Sequence, residues 1–470
     1  MIGALRHSVL FLLLIACGPA NAVVVRDQAF GSDGVAHVAG FDGYAWDAAH
    51  LAVATDQGVV AAVSGTREST HYLVFAKLRT DGSLDTTFGG GLQQVPLGDS
   101  SQPLLLSRLL PLPDGGLLVV LQRLTQPGSA DAVLLRFDAA GKPLAAFNGG
   151  QPLTIALPTW SGLWTAHAHG DGYLLASAPT IGPLNGNNEN PARRQPRFFR
   201  VTDAGQLDSG FGQAGYHEEP AQDGLFGDAI VLPDRRFQVL HSLRQVNGHI
   251  VNRWRRYLPD GRVDSSGGTG GWIDVGDDGR RQLVNAFALQ PGRYAVVDEP
   301  QTFQGYVDGE GRMTTPASFL SHVYTVVPFG NDRALVGFNI RFGGVPTGGD
   351  GAYVVALDAA GNPDRSFALP GEANWLRASA WINRYNVAAD SPSSLIVADY
   401  NQYDGFRVVR YRELRGADQW LPIPAASTTA LLSLAAIIIA ASLRHRYRTT
   451  RRIGSRPFSG RDRTIALIAH

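Results

Sequence analysis

Two histidines one residue apart, His167 and His169, precede the turn Gly170-Asp171-Gly172. On a strand this spacing puts both imidazoles on one face, where they could share a metal ion. A metal site needs three or four ligands, and no third stands nearby in the sequence, so the pair reads as strand histidines. Asp-Gly pairs recur at Asp81, Asp114, Asp171, Asp260, Asp308 and Asp404. A calcium loop would need alternating oxygen ligands and a distal bidentate Glu, which these segments lack. They read instead as turns, where Asp and Gly accept the left-handed backbone. There is no Gly-x-Ser-x-Gly and no phosphate-cradling loop with Lys, and Cys17, the only cysteine, lies in the N-terminal segment. The sequence therefore assigns no catalytic, cofactor-binding or metal residue, and the expected function is not enzymatic.

The elements that carry these turns repeat. Phe75-Ala76-Lys77-Leu78-Arg79-Thr80-Asp81-Gly82-Ser83-Leu84-Asp85-Thr86-Thr87-Phe88-Gly89-Gly90-Gly91 is the clearest copy. The turn glycines fall at Gly82, Gly141, Gly205, Gly261, Gly311 and Gly361, roughly 50–64 residues apart, the length of one four-stranded blade. A closing Phe recurs at Phe30, Phe88, Phe147, Phe211 and Phe367; unit five has Gly267 near that point, and unit six has lost the motif. The first unit supplies only the closing half, from Gln28 to Val35.

Each unit adds a second hairpin, as in Leu109-Leu110-Pro111-Leu112-Pro113-Asp114-Gly115-Gly116-Leu117, Val231-Leu232-Pro233-Asp234-Arg235 and Ala288-Leu289-Gln290-Pro291-Gly292. Pro presets the first turn position, and the flanking Val, Leu, Phe and Tyr suit a pleated surface. Two hairpins make an antiparallel blade, and a closed ring of blades removes exposed edges. The chain enters midway through a unit and leaves on Gly405-Phe406-Arg407-Val408-Val409-Arg410-Tyr411-Arg412, which matches a first motif strand. That strand should complete the blade begun at the N-terminus. The expected fold is all-β, a seven-bladed β-propeller over residues 23–414.

The pattern Arg-x-x-x-Asp-Gly-x-Leu-Asp-x-x-Phe-Gly, read from Arg79 to Gly89 and from Arg200 to Gly212, resembles the delta-60 repeat of bacterial envelope proteins. Looser copies start at Arg136 and Leu357, and still looser ones at Arg256 and Tyr306. The resemblance implies a propeller-like fold and brings no catalytic residues.

The ends supply an address. Arg6 and His7 precede the apolar run Val9 to Ala16, and Ala20-Asn21-Ala22 forms a small-x-small site, so residues 1–22 read as a signal peptide. Leu14-Ile15-Ala16-Cys17 also reads as a lipobox, the alternative being lipidation at Cys17. At the other end, residues 415–424 form a linker containing Ile423-Pro424, and Ala425 to Leu443 is a stretch of 19 residues without charge. That length suits one membrane-spanning helix. Arg444, Arg446, Arg448, Arg451 and Arg452 follow, which keeps the tail 444–470 cytoplasmic and the repeats outside. The order Pro motif, apolar helix, basic cluster resembles the Ile-Pro-Thr-Leu and Pro-Glu-Pro types of C-terminal sorting signal, although Ala425-Ala426 stands where Thr-Leu would be.

The chain has zero formal net charge, yet residues 444–470 carry eight Arg and one Asp, so the repeats are acidic. An acidic domain argues against nucleic acid, whose phosphates require clustered Lys and Arg. Trp160, Trp164, Trp254, Trp272, Trp375 and Trp381 read as blade core. The loops Ile181 to Asn190 and Gly343 to Gly349 read as places for recognition on a rigid scaffold. The expected function is a surface-anchored propeller that binds a surface protein or a polysaccharide. The alternative is a hydrolase or lyase acting on polysaccharide, which carboxylates converging about 5–10 Å apart at a ring mouth would favour.

Overall fold

The computed structural model describes residues 23–40, 45–53, 58–101, 104–126, 129–157, 163–177, 180–181, 193–245, 247–276, 281–298, 301–314, 320, 322–330, 332–340, 351–364, 367, 376–378, 387–401 and 405–414. Seven antiparallel sheets follow one another around a ring, with a two-stranded hairpin, Thr180–Ile181 with Arg193–Arg194, set off from the fourth. From the axis outward, blade 2 comprises Ala45–Val53, Val59–Arg67, Thr70–Leu78 and Leu92–Asp99. Blade 3 comprises Leu104–Pro111, Leu117–Gln126, Ser129–Phe137 and Leu153–Ala156. Blade 4 comprises Leu163–Ala168, Gly172–Ser177, Arg197–Thr202 and Tyr216–Glu218, and blade 5 Gly224–Val231, Phe237–Arg244, Ile250–Tyr257 and Trp272–Asp274. Blade 6 comprises Leu283–Gln290, Arg293–Asp298, Phe303–Asp308 and Met313–Thr314, and blade 7 Val323–Phe329, Arg333–Ile340, Gly351–Leu357 and Leu376–Ala378.

Blade 1 closes the ring from both ends of the sequence. Val387–Ser391, Ser394–Asn401 and Gly405–Leu414 form its inner three strands. Its outer position is shared by Val23–Arg26, paired from Val23 with Leu414, and Val35–Val38, paired from Val35 with Val409. The predicted closure by strand 405–412 is thus observed.

The second strands of blades 2 and 3 are apolar on both faces because both faces pack against a neighbouring blade. Val59, Ala61 and Val63 face blade 1, whereas Val60 and Ala62 face blade 3. In the next blade Val119 and Leu121 face blade 2, and Leu118 and Val120 face blade 4. Two-sided burial explains why these strands read as continuous apolar runs rather than an alternation.

The repeat motif is a joint between blades. Its turn Phe residues are all buried: Phe30, Phe88, Phe147, Phe211 and Phe367. Each belongs to an apolar cluster spanning its own blade and the next. The amide after the Phe donates to the carbonyl just before the turn Gly of the following blade. The pairs are Gly31 to Asp81 and Gly89 to Ala140 at 2.7 Å, Asn148 to Ala204 at 2.9 Å, and Gly212 to Asp260 at 2.8 Å. Gly261 shows why Gly is needed: its φ is +82°, and a Cβ would lie 2.7 Å from the Phe211 ring.

Where the motif decays, other contacts carry the joint. Gly276 donates to Gly311 O at 3.1 Å between blades 5 and 6. Between blades 6 and 7 the Tyr306 hydroxyl donates to Asp358 O at 3.1 Å and Arg293 to Ala359 O at 2.7 Å. The Arg293 guanidinium also lies 4.0 Å from the Tyr306 ring centroid.

The register corrects one detail of the motif. The carbonyls of Lys77, Arg136, Arg200 and Arg256 accept the amides of Asp85, Leu144, Asp208 and Asp264, so they occupy equivalent positions. In blade 2 the basic motif residue is therefore Lys77; Arg79 lies two residues further on and is half exposed.

Among the described residues no helix is long and apolar enough to cross a membrane. Residues 1–22, read in the sequence as a signal peptide, and Cys17, residues 415–424, the apolar stretch 425–443 and the basic tail lie outside them, as do residues 182–190 and 343–349.

A candidate functional site in the central channel

The innermost strands of blades 2 to 7 each carry an irregularity in register close to their start. It falls between Trp46 and Ala49, Leu106 and Arg108, Leu163 and Thr165, Phe226 and Ala229, Leu283 and Asn285, and Val323 and Thr325. A bulge inserts a residue and re-aims its neighbours. Here it leaves Arg108, Thr165, Asp228, Asn285 and Thr325 at comparable depth on successive strands.

These strands surround a cavity of about 490 Å³ lined by blades 3 to 7. Its walls are mainly apolar, including Ile230, Val231, Val326 and Val327, and its polar side chains are Arg108, His167, Asp228 and Thr325. Arg108 Nη2 donates to Asp228 Oδ2 at 3.1 Å, reaching from blade 3 past blade 4 to blade 5. Its second contact is to Thr165 Oγ1 at 3.5 Å, and Thr165 Oγ1 lies 2.6 Å from His167 Nε2. Asp228 and Thr325 are buried. Among the described residues lining the cavity, Asp228 is the one carboxylate, and it is charge-paired.

The two sequence-selected histidines part company. His167 lines the channel, whereas His169 lies beyond the strand end, in the turn to the next strand. There His169 Nε2 meets Arg235 O at 2.6 Å and Nδ1 accepts from Arg200 Nε at 3.2 Å. Burial pushes its imidazole below the ordinary value. Among the described residues no group of three or more His, Cys, Asp or Glu could hold a metal.

The Asp-Gly pairs act as turns. Asp81 accepts the Ser83 amide at 2.9 Å, Asp114 that of Gly116 at 2.9 Å, and Asp260 that of Arg262 at 3.0 Å. Asp308 accepts the amides of Glu310 and Arg312, both at 2.9 Å, while Asp171 pairs with Arg200. Asp404 lies outside the described residues.

Of the tryptophans, Trp254 is fully buried. Trp272, on the outermost strand of blade 5, packs within its own blade, with Arg255 4.3 Å and His241 5.0 Å from its ring centroid. Trp160, Trp375 and Trp381 lie outside the described residues, and Trp164 is placed only by its strand.

A second polar cluster, missed in the sequence, lies between blades 4 and 5. His217 Nε2 meets Glu219 Oε1 at 3.0 Å, with Arg255 Nε 3.9 Å from the same oxygen. Burial alone would raise the Glu219 carboxyl, but His217 and Arg255 together hold it below its ordinary value. His241 is fully buried, and neither ring nitrogen has a hydrogen-bond partner. Burial drives its imidazole from 6.5 down to about 3.

In the unfolded chain His241 takes up a proton near pH 6.5, while the native chain resists it until about pH 3. Its neutral burial therefore stabilises the fold above pH 6.5, and that stability drains away as the pH falls. Between pH 7 and pH 5 the expected loss is about 2 kcal/mol. Glu219, ordinarily at 4.5, contributes with the same sign only at lower pH. Denaturant titrations at the two pH values check this, and a His241→Phe chain should lose less over the same interval. An equal loss in both chains would remove His241 as the cause.

The fold and channel define a seven-bladed β-propeller with an ion-paired polar layer at its axis. No protein-family model matches the sequence, and no curated protein matches it. Among solved structures, a puromycin-hydrolyzing peptidase of Mycobacterium tuberculosis aligns at 12% identity and TM-score 0.45, covering 87% of this chain and 57% of the peptidase. This chain thus spans little more than half of that protein's length. The PQQ-bound aldose sugar dehydrogenase of Streptomyces coelicolor aligns at 13% identity and TM-score 0.36, covering 84% and 99%. A neuraminidase-like protein of subtype N10 from A/little yellow-shouldered bat/Guatemala/060/2010 aligns at 7% and 0.37, covering 82% and 98%. At these values the likeness says nothing of this chain's chemistry.

Proposed function

We propose that this chain is a non-enzymatic, envelope-anchored β-propeller that binds a surface protein or polysaccharide at one face of the ring. The observation that carries the reading is the Arg108–Asp228 pair at 3.1 Å. A general acid or nucleophile needs a carboxylate whose partner leaves it available, whereas Asp228 is neutralised by a cation from two blades away. An ion-paired polar layer between apolar walls suits recognition.

The motif turns join blades at one end of the ring. The second-to-third-strand connections leave from the opposite end, where each inner strand starts and the bulges lie. The segments between Ser177 and Arg197 and between Ile340 and Gly351 are both connections of this type. That end is the binding face. Export by residues 1–22, anchoring by 425–443 and a delta-60 origin of the repeats belong to the same proposal.

Two measurements test it. Protease added outside spheroplasts should degrade the repeats while a tag at His470 stays protected; the reverse pattern would invert the orientation. Activity screens on polysaccharides and esters should stay at background. Turnover abolished by Asp228→Asn would transfer the assignment to the hydrolase or lyase reading.

A further inference from the structure

We propose that the central channel binds a neutral, hydroxyl-rich ligand, namely one or two sugar units at the end of a glycan, held by the Arg108–Asp228 pair. The inference rests on the binding reading above and adds an axial site to it: the cavity runs from the bulge layer to Val231, Ala288 and Pro328 near the ends of the inner strands, on the side away from the loop face.

The first argument is charge. Among the described residues lining the cavity, Arg108 and Asp228 are the permanently charged groups, and they pair at 3.1 Å. Thr325 lines the cavity from blade 7, and the Thr165 hydroxyl meets Arg108 on the intervening strand, adding polarity without charge. A cationic or anionic ligand entering this layer would neutralise one partner and leave the other facing a like charge in a half-dry channel, a costly arrangement. A neutral ligand avoids that cost.

The second argument is hydrogen-bond polarity. Arg108 only donates and ionised Asp228 only accepts, so the layer presents a donor fork and an acceptor side by side. A hydroxyl both donates and accepts, and two hydroxyls on adjacent carbons reach the two groups together. The Thr165 hydroxyl, already 2.6 Å from His167 Nε2, extends this polar line.

The third argument is shape. The cavity holds about 490 Å³, within the range of small-molecule sites, and Ile230, Val231, Val326 and Val327 give it an apolar wall. A sugar ring has the matching character: polar at its rim and covered with C–H groups on its faces. The inner strand edges add main-chain donors and acceptors, since among the described residues no further strand covers them on the axial side.

The test is calorimetric titration of the full chain in a detergent without a sugar headgroup. Maltose, cellobiose and trehalose are the probes, and glycine betaine serves as a zwitterionic arm. At least one disaccharide should bind in the millimolar range or better and betaine should not. Asp228→Asn should weaken saccharide binding by about tenfold or more, the worth of a charged hydrogen bond. Because that variant also disturbs an ion pair, Ala288→Trp provides an independent check. Ala288 lines the cavity and is exposed, so the indole fills the channel without entering a core cluster. It should abolish binding with the melting temperature unchanged. Betaine binding alone, no saccharide heat at millimolar concentration, or saccharide binding that both variants leave intact would overturn the proposal. Such a failure would leave the broader binding reading standing, which falls only to turnover or inverted topology.

Discussion

Phe211→Ala is expected to cost about 3–5 kcal/mol of unfolding free energy, because it empties a closed site between two blades. Phe211 is fully buried and stacks at 6.2 Å on Phe237 of the next blade. Its ring also covers the position where Gly261 lacks a Cβ. Gly261→Ala should therefore destabilise from the other side of the joint, through a left-handed φ and a clash at 2.7 Å. The decisive measurement is the double variant. With the ring gone the new methyl has room, so the two costs should fall short of additivity by more than the 0.5 kcal/mol or so that independent sites allow. Full additivity in chemical denaturation, or a Phe211→Ala cost below about 1 kcal/mol, would show that the motif is not the joint.

This joint explains why the fold was legible. The turn Gly and the closing Phe each sit in a short local segment, and each has a physical reason to recur at every boundary. Gly82, Gly141, Gly205 and Gly261 all have positive φ, and Phe30, Phe88, Phe147 and Phe211 all fill the same kind of site. A periodic constraint leaves a periodic trace. The closure was legible for a similar reason: the run from Gly405 to Arg412 looks like a motif strand that has no unit of its own to complete.

The channel left no such trace. Arg108 and Asp228 are 120 positions apart, and they meet only because the ring places blades 3 and 5 on either side of a common axis. In the sequence Arg108 is one Arg among many, flanked by the apolar strand Leu104–Pro111. The bulges are equally silent, since inserting one residue in a strand changes its register without changing its composition. His167 was noticed for the wrong partner: its spacing to His169 suggested a shared face, but the strand ends at Ala168 and the second imidazole turns toward Arg235. His241 had no motif at all. Its isolation from water comes from Phe226 on a neighbouring strand and Trp272 from the blade's edge.

Ring closure carries the second large expected effect. Glu413, on the third strand of blade 1, is buried and receives both terminal nitrogens of Arg333 from blade 7, at 2.7 and 2.6 Å. The guanidinium is held in place by Asp364 at 3.2 Å and by the Phe329 ring at 4.6 Å. A bidentate pair of this kind fixes geometry as well as charge. Glu413→Ala should cost roughly 3 kcal/mol, since a largely buried cation loses its principal partner, with Asp364 sparing part of the penalty. The effect should also have an address. Val24 pairs with Glu413 in the strand register, and among the described residues that strand is the sheet partner of Val23–Arg26. Amide exchange should accordingly accelerate first in Val23–Arg26 and in Gly405–Leu414, ahead of the second strands of blades 3 and 5. Arg262→Ala is the control, because its pair with Asp260 is largely exposed and such pairs contribute little. If the two variants lose equal stability, or if exchange rises uniformly around the ring, closure does not depend on this contact. An effect confined to blade 1 would mean that closure depends on one charge pair acting on the strands Val23–Arg26 and Gly405–Leu414, while Phe joints hold the boundaries from blade 1 to blade 5 and the Gly276, Tyr306 and Arg293 contacts hold those from blade 5 to blade 7.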